Sequence, residues 1–285
     1  MTHPAFDRRE SAMLGHAYAD NFQALTDMAL GLSKSLQECR KFDGSDVISH
    51  YLSAYHGSNP KPNIGNITNS VYEEFLKRIK EPPFKLPIKD IYSVSYAVHE
   101  KNHGLTSGCN PAQRSFPLAF CKRIDDKNLF QIACDEARLT HFSTTAGQIS
   151  GLTCLICRYL INGYEWDEAI TSAFETALST APDLLGEIQE IQKRYRDDNI
   201  LNDTLNENRR HIYAPNTLHT ALYCITKADS FESALAHARR LDPLYCPILV
   251  GILAGARWGV PPTMLPDNYA EKIKKIKKMS AGFRA

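Results

Sequence analysis

An all-α fold is predicted, on three observations. Apolar side chains recur at spacings of three and four over most of the chain, the period that gathers them on one helix face. Strand-like alternation is scarce, with Ile91–Val98 the only weak candidate. Two segments, Ile149–Leu160 and Ile248–Trp258, are apolar on every face, which marks helices at the centre of a bundle.

In chain order, Leu25, Met28, Leu32, Leu36 and Cys39 form the first apolar stripe, and Val71, Phe75, Leu76 and Ile79 the next. Ile149–Leu160 follows. Trp166, Ala169, Ile170, Ala173, Phe174 and Ala177 then line a helix, as do Leu184, Leu185, Ile188 and Ile191. Ser230 is placed to cap the helix carrying Phe231, Ala234, Leu235 and Ala238, because its hydroxyl can satisfy an orphan amide of the first turn. In Ile248–Trp258, Gly251 and Gly255 lie four apart with Ala254 and Ala256 beside them, so another backbone can approach closely. At the end, Ile273, Ile276 and Met279 share a face amid lysines, as expected of a terminal helix docked on the body.

Pro and Gly clusters at Gly57–Gly65, Glu81–Pro87, Gly104–Pro117, Tyr213–Pro215 and Gly259–Pro266 punctuate these helices. None reads as a long flexible linker, and no internal repeat is visible. Residues 1–285 are therefore expected to form one domain, a length one large core can fill.

Composition narrows function mainly by exclusion. Hydrophobic residues make up 43% and charged residues 23%, an ordinary globular balance. A net charge of +1 lacks the electrostatic footprint of a nucleic-acid binder. No segment reaches the roughly 18 consecutive apolar residues of a membrane span, and Met1–Ser11 has no signal-peptide core. Eight scattered cysteines in a chain of this size point to a reducing compartment. A cytoplasmic protein is expected, though one exported without a cleavable signal peptide would read the same. The pair Cys154 and Cys157 sits within an all-apolar helix and lacks a second ligand pair, so it reads as buried packing rather than a metal or redox site.

Several segments, taken in order, carry a resemblance. Gly15-His-Ala-Tyr-Ala-Asp20 resembles a Gly-x-Ala-x-Gly-Asp helix, and Met28–Leu36 the helix that follows a Thr-Asp-Asp-Thr motif. Asn63–Thr68 resembles a Gly-x-Gly-x-Thr-Thr turn. Thr106-Ser-Gly-Cys-Asn-Pro-Ala-Gln-Arg114 with Ser115–Leu118 resembles a Ser-x-Gly-Asn-Gly-x-x-Met-Arg loop and its Pro-Leu. Thr140-His141 and Asn216-Thr217 match further short motifs, and Leu241–Ala256 resembles a Gly-Asp-x-Asp-Thr segment with its Gly-x-x-x-Gly-Ala helix. Together these are similar to the ADP-ribosylglycohydrolase family over nearly the whole chain. The resemblance implies a compact orthogonal multi-helix bundle and cleavage of the bond between ADP-ribose and its acceptor. It also implies two magnesium ions caged by carboxylates of the first and last motifs.

Those carboxylates are mostly missing. An ungapped alignment places Gln23, Ala24, Leu25 and Thr26 on Thr-Asp-Asp-Thr; a rival with one gap leaves Thr26-Asp27 as a remnant, with Met28 replacing the second aspartate. In the last motif Asp242 stands on the first aspartate, Leu244 on the second and Tyr245 on the threonine. Asp20 and Thr26 are nearly adjacent, so the family's loop between these motifs is absent. Cys109 and Asn110 replace Asn-Gly and precede Pro111. Binuclear magnesium is not expected, since two close dications need several oxygen donors.

The candidate acid–base residues are Asp242, Asp20 and Asp27, and the candidate ligand contacts are Thr106, Gly108, Cys109, Asn110, His141, Gln23 and Tyr245. Each has a bland reading. Asp242 can cap the helix that follows, Asp20 can be a surface residue, His141 a satisfied structural histidine and Arg114 an internal ion-pair partner. Three functions stay open. One is a family member that binds an ADP-ribose- or nucleotide-like ligand, an ADP-ribosylated protein or another protein partner without magnesium-dependent hydrolysis. The second is a metal-independent enzyme using Asp and His as acid and base. The third is a structural role for the fold. Neither nucleic acid nor membrane is an expected partner, and the sequence leaves the oligomeric state open.

Overall fold

The computed structural model describes residues 6–181, 183–184, 186–197 and 212–284. Among them are fourteen α-helices and no strand, and the resemblance to an orthogonal helical bundle holds. The weak strand candidate Ile91–Val98 is overturned, since it lies within the helix Ile88–Lys101. Its buried side chains are Ile91, Val94, Ser95 and Val98, a three–four stripe that outweighs the β-branched composition. No helix among the described residues is long and apolar enough to cross a membrane.

The two all-apolar segments form the centre. Helix α8 (Thr144–Ile161) is buried from Ala146 through Leu160, and α13 (Cys246–Trp258) from Cys246 through Ala256. Helix α1 (Arg8–Ala19) lies along α13 at backbone contact. A Cβ on Gly251 would run into the Gly15 carbonyl, and one on Gly255 into the carbonyl of Ser11. The small-residue spacing thus does what it suggests, seating two backbones together.

Local signals set the helix starts. Asp7 accepts the amides of Arg9 and Glu10 at α1, and Ser230 forms a capping box with Ser233 at α12 (Phe231–Leu241). Asp43 caps α3 (Gly44–His56) through the amides of Ser45 and Asp46. Arg158 on α8 donates to the carbonyls of Ala119, Cys121 and Ile124, tying the 3-10 turn Phe116–Phe120 to the core helix. Helix α10 (Gly186–Arg194) buries Ile188 and Ile191, with Leu184 buried just before it; Leu185, the fourth member of that stripe, and Met1–Ala5 lie outside the described residues. The last helix, α14 (Ala270–Ala281), buries Ile276 and is held by Gln37, whose side-chain amide donates to the Met279 carbonyl at 2.7 Å.

Candidate functional site

The turn between α1 and α2 (Ala24–Cys39) builds one wall of a cleft. Asn21 and Phe22 both adopt positive φ (51° and 55°), and Phe22 is buried, stacked on Tyr269 at 4.5 Å. Asp20 fixes this tight turn: its Oδ2 accepts both the Thr26 amide and the Thr26 hydroxyl at 2.8 Å. The first turn of α2 then presents Gln23, Ala24, Asp27 and Met28 to a cleft of about 250 Å³. Tyr51, Ala54 and Tyr55 of α3 form a second wall. Residues of the Ser58–Ile64 loop and Tyr72 of α4 (Asn66–Arg78) complete it.

Asp27 is the only carboxylate among the described lining residues, and it is already paired. Lys272 of α14 approaches its Oδ1 at 2.8 Å and also donates to the Phe22 carbonyl at 2.6 Å. Burial pushes the Asp20 carboxyl up to about 6, against the opposing effects of its Thr26 hydrogen bonds and the Lys272 charge.

A buried polar network lies behind the cleft. The loop Thr106–Cys109 is pinned to the segment before α11 (Ala214–Thr226): the Cys109 amide donates to Ile212 O at 3.0 Å and the Ala214 amide to Ser107 O at 2.9 Å. Thr106 Oγ1 meets His99 Nδ1 at 2.6 Å. Asn110 opens the short helix α6 (Asn110–Arg114) and acts as a junction. Its Nδ2 donates to the Ile64 carbonyl of the cleft loop at 3.2 Å, while its Oδ1 accepts from Thr68 and, at 2.7 Å, from Arg114. Arg114 is fully buried and donates to Glu136 Oε1 of α7 (Asp126–Ala137) at 2.8 Å and to Thr140 at 2.9 Å. Burial opposes its charge, but the Glu136 carboxylate and the Tyr51 and Tyr72 hydroxyls raise its pKa on balance.

Tyr51 joins cleft and network, donating to Glu136 Oε1 at 2.8 Å. The Tyr72 hydroxyl and Glu136 Oε2 are buried without a hydrogen-bond partner. His141 Nδ1 meets Thr140 Oγ1 at 2.9 Å, and its Nε2 borders Gly108. Burial, then the Arg114 charge, lowers the imidazole pKa to about 3, so it is neutral near pH 7.

The last motif is organised around a cap. Asp242 is buried, and its Oδ1 accepts the amides of Leu244 (3.2 Å) and Tyr245 (3.1 Å) while its Oδ2 accepts that of Cys246 (3.1 Å). Leu244 points to solvent, 70% exposed. Tyr245 is half-buried and its carbonyl accepts from Gln113 of α6 at 2.9 Å. Cys109 lies between Thr217 and the Asp242 charge, and burial pushes its thiol up to about 12, which keeps it protonated.

The sequence-chosen residues therefore fall into neighbouring groups. Gln23 and Asp27 line the cleft. Cys109, Asp242 and Tyr245 cluster at the start of α13. Asn110 and His141 lie beside Arg114, Gly108 borders His141, and Thr106 is bonded to His99. Of the three aspartates only Asp27 faces the cleft; Asp20 and Asp242 are engaged in helix starts. Sequence reasoning missed Tyr51, Tyr55, Tyr72, Glu136 and Lys272. Tyr51 and Tyr55 carried a usable signal, two tyrosines four apart on one helix. Glu136 and Lys272 sit among ordinary charged positions and carried none.

These features define an all-helical protein with an aromatic cleft at the start of its second helix. A family model described as ADP-ribosylglycohydrolase matches residues 2–282, and the chain belongs to the ADP-ribosylglycohydrolase family. Its fold is similar to a solved structure described as an ADP-ribosylglycohydrolase-related protein complex, with a TM-score of 0.66 and 21% identity. That match covers 97% of this chain and 95% of the other. A comparison with curated proteins gave no match.

Proposed function

We propose that this protein binds an ADP-ribose-like ligand in the cleft, free or carried on a modified protein, without magnesium-dependent hydrolysis. The observation that carries this reading is the donor set. The cleft offers one carboxylate, Asp27, and Lys272 already neutralises it. Asp242 gives its oxygens to three backbone amides, and the Leu244 side chain offers no oxygen. Two magnesium ions held close together need several oxygen ligands each, and this set does not fit them.

The same cleft suits a nucleotide. Tyr55, backed by the buried Tyr51 and Tyr72, gives with Pro60 and Pro62 an apolar surface for a base or ribose, with Gln23 and Ser58 as hydrogen-bonding groups. Lys61, whose ammonium bonds the carbonyls of Tyr55 and His56 beside the cleft, provides positive charge for a diphosphate. About 250 Å³ is less than the roughly 300–1,000 Å³ of a typical ligand site, so the cleft takes one end of a ligand that extends along the surface.

The test is calorimetric titration of ADP-ribose in chelator and again in magnesium, with product analysis on an ADP-ribosylated protein. Equal affinity in both and an intact substrate support the reading. Binding that requires magnesium, or magnesium-dependent release of ADP-ribose, overturns it.

A further inference from the structure

We propose that Glu38, Asp46 and His50 form a binding site for a divalent transition-metal ion of the zinc type, clipping the end of α2 to α3. The site is separate from the cleft and does not depend on the reading given for it. His50 Nε2 lies 3.4 Å from Glu38 Oε2 and 3.5 Å from Asp46 Oδ2. One atom from each of the three residues falls within 4.8 Å of the other two.

Three physical arguments favour an ion there over a simple ion pair. His50 Nε2 and Asp46 Oδ2 are shielded from solvent, face each other and have no hydrogen-bond partner. With the proton on Nδ1, the tautomer a metal ion on Nε2 selects, Nε2 is an acceptor that meets the carboxylate as a second acceptor with nothing between them. The two separations from His50 Nε2 match the edge of a coordination tetrahedron: zinc–ligand bonds of about 2.0–2.2 Å imply edges of roughly 3.3–3.6 Å. Finally, one imidazole with two carboxylates is a nitrogen–oxygen set suited to zinc, and the two negative charges balance a dication.

The surroundings fit a clip. Asp46 and His50 are one turn apart on α3, so they share a face, and Glu38 is in the last turn of α2. The two helices are already close, as a Cβ on Gly31 would sit 3.3 Å from that of His50. Glu38 is 55% exposed and free to swing onto an ion, although Lys34 competes for it at 3.8 Å. Asp43 is not available, because its Oδ1 caps α3. Cys39 flanks the site, its thiol hydrogen-bonded to the Asp46 carboxylate, but its sulfur falls outside the three-atom group. Because the next residue, Tyr51, lines the cleft, an ion here would stiffen one cleft wall from behind.

The experiment is calorimetric titration of the full chain with zinc chloride after chelator treatment, repeated on His50→Ala, Asp46→Asn and Cys39→Ser. Circular dichroism confirms that each variant is folded. Wild type should take one equivalent that raises the melting temperature. His50→Ala and Asp46→Asn should each weaken that equivalent by at least about 100-fold, since even outer partners of metal ligands cost 10–100-fold when removed. Cys39→Ser should keep it. No zinc uptake by wild type, equal uptake by wild type and His50→Ala, or loss confined to Cys39→Ser would each overturn the proposal. Asp46→Asn, which preserves shape, keeps the test decisive should His50→Ala fail to fold.

Discussion

Asp20 gives the sharpest test of how its turn is built. Replacing it with asparagine keeps an acceptor for the Thr26 amide and hydroxyl but removes the charge. Burial raises its pKa from 3.8 to about 6, so the folded protein holds its proton more tightly than the unfolded chain does. The sign follows from linkage: the wild type has its full stability below about pH 4 and loses part of it as the pH rises towards and through 6. At about 1.36 kcal/mol per pH unit the difference amounts to at most ~3 kcal/mol, and the exposed edge of this half-buried group reduces it. The asparagine variant has no such loss. Urea denaturation of both proteins from pH 4 to pH 7.5 should therefore show the variant gaining on wild type by about 1–3 kcal/mol across that range. The other groups facing Asp20 are Thr26 and Lys272, and neither changes charge there in the unfolded chain. A difference between the two proteins that stays flat with pH, within about 0.5 kcal/mol, would refute the buried, proton-holding carboxyl.

Other outcomes follow from the same geometry. Glu136→Ala strands the fully buried Arg114 guanidinium and the Tyr51 hydroxyl, and should cost about 3–5 kcal/mol in a denaturant titration; a loss under about 1 kcal/mol would contradict the network. Gly251→Ala drives a methyl into the α1 backbone and should cost at least about 1–3 kcal/mol, whereas Gly186→Ala, with open space at its Cβ, should not destabilise. Tyr72→Phe removes a buried hydroxyl that has no partner, so the melting temperature should hold or rise and ADP-ribose affinity should stay within about twofold. A tenfold loss of affinity would mean that this hydroxyl meets the ligand after all.

The fold was legible because helical periodicity is a local property. The all-apolar runs could only be central, and Gly251 with Gly255 announced a close backbone approach before its partner, α1, was known. The segment Ile91–Val98 misled because isoleucine, valine and tyrosine favour strands, yet its buried positions follow the helical period. The cleft was legible only in part. Gln23 and Asp27 lie near the motif that pointed to them, but three of the tyrosines and Lys272 reach the site from distant segments. Nothing in the lysine-rich end of the chain distinguishes Lys272 from its neighbours, because its role depends on where α14 docks. Glu136 was hidden for the same reason: an acidic residue on an amphipathic helix reads as solvated until Arg114 is found beside it.

Asp20 and Asp242 show why a surviving motif carboxylate is weak evidence for chemistry. A helix start leaves several amides unsatisfied, and a carboxylate beside it is favoured by hydrogen bonds and by the helix dipole. Asp20 meets the third residue of α2, and Asp242 meets the amides that lead into α13. In an enzyme that used the same side chains as metal ligands, the two tasks would be superimposed and indistinguishable from sequence. On the ungapped alignment the second aspartate of the last motif and the pair in the first fall on Leu244, Ala24 and Leu25, while the helix starts keep their acids. On that alignment the residues lost and the residues kept are separated by task, and the two carboxylates that remain are accounted for by the helix starts they cap.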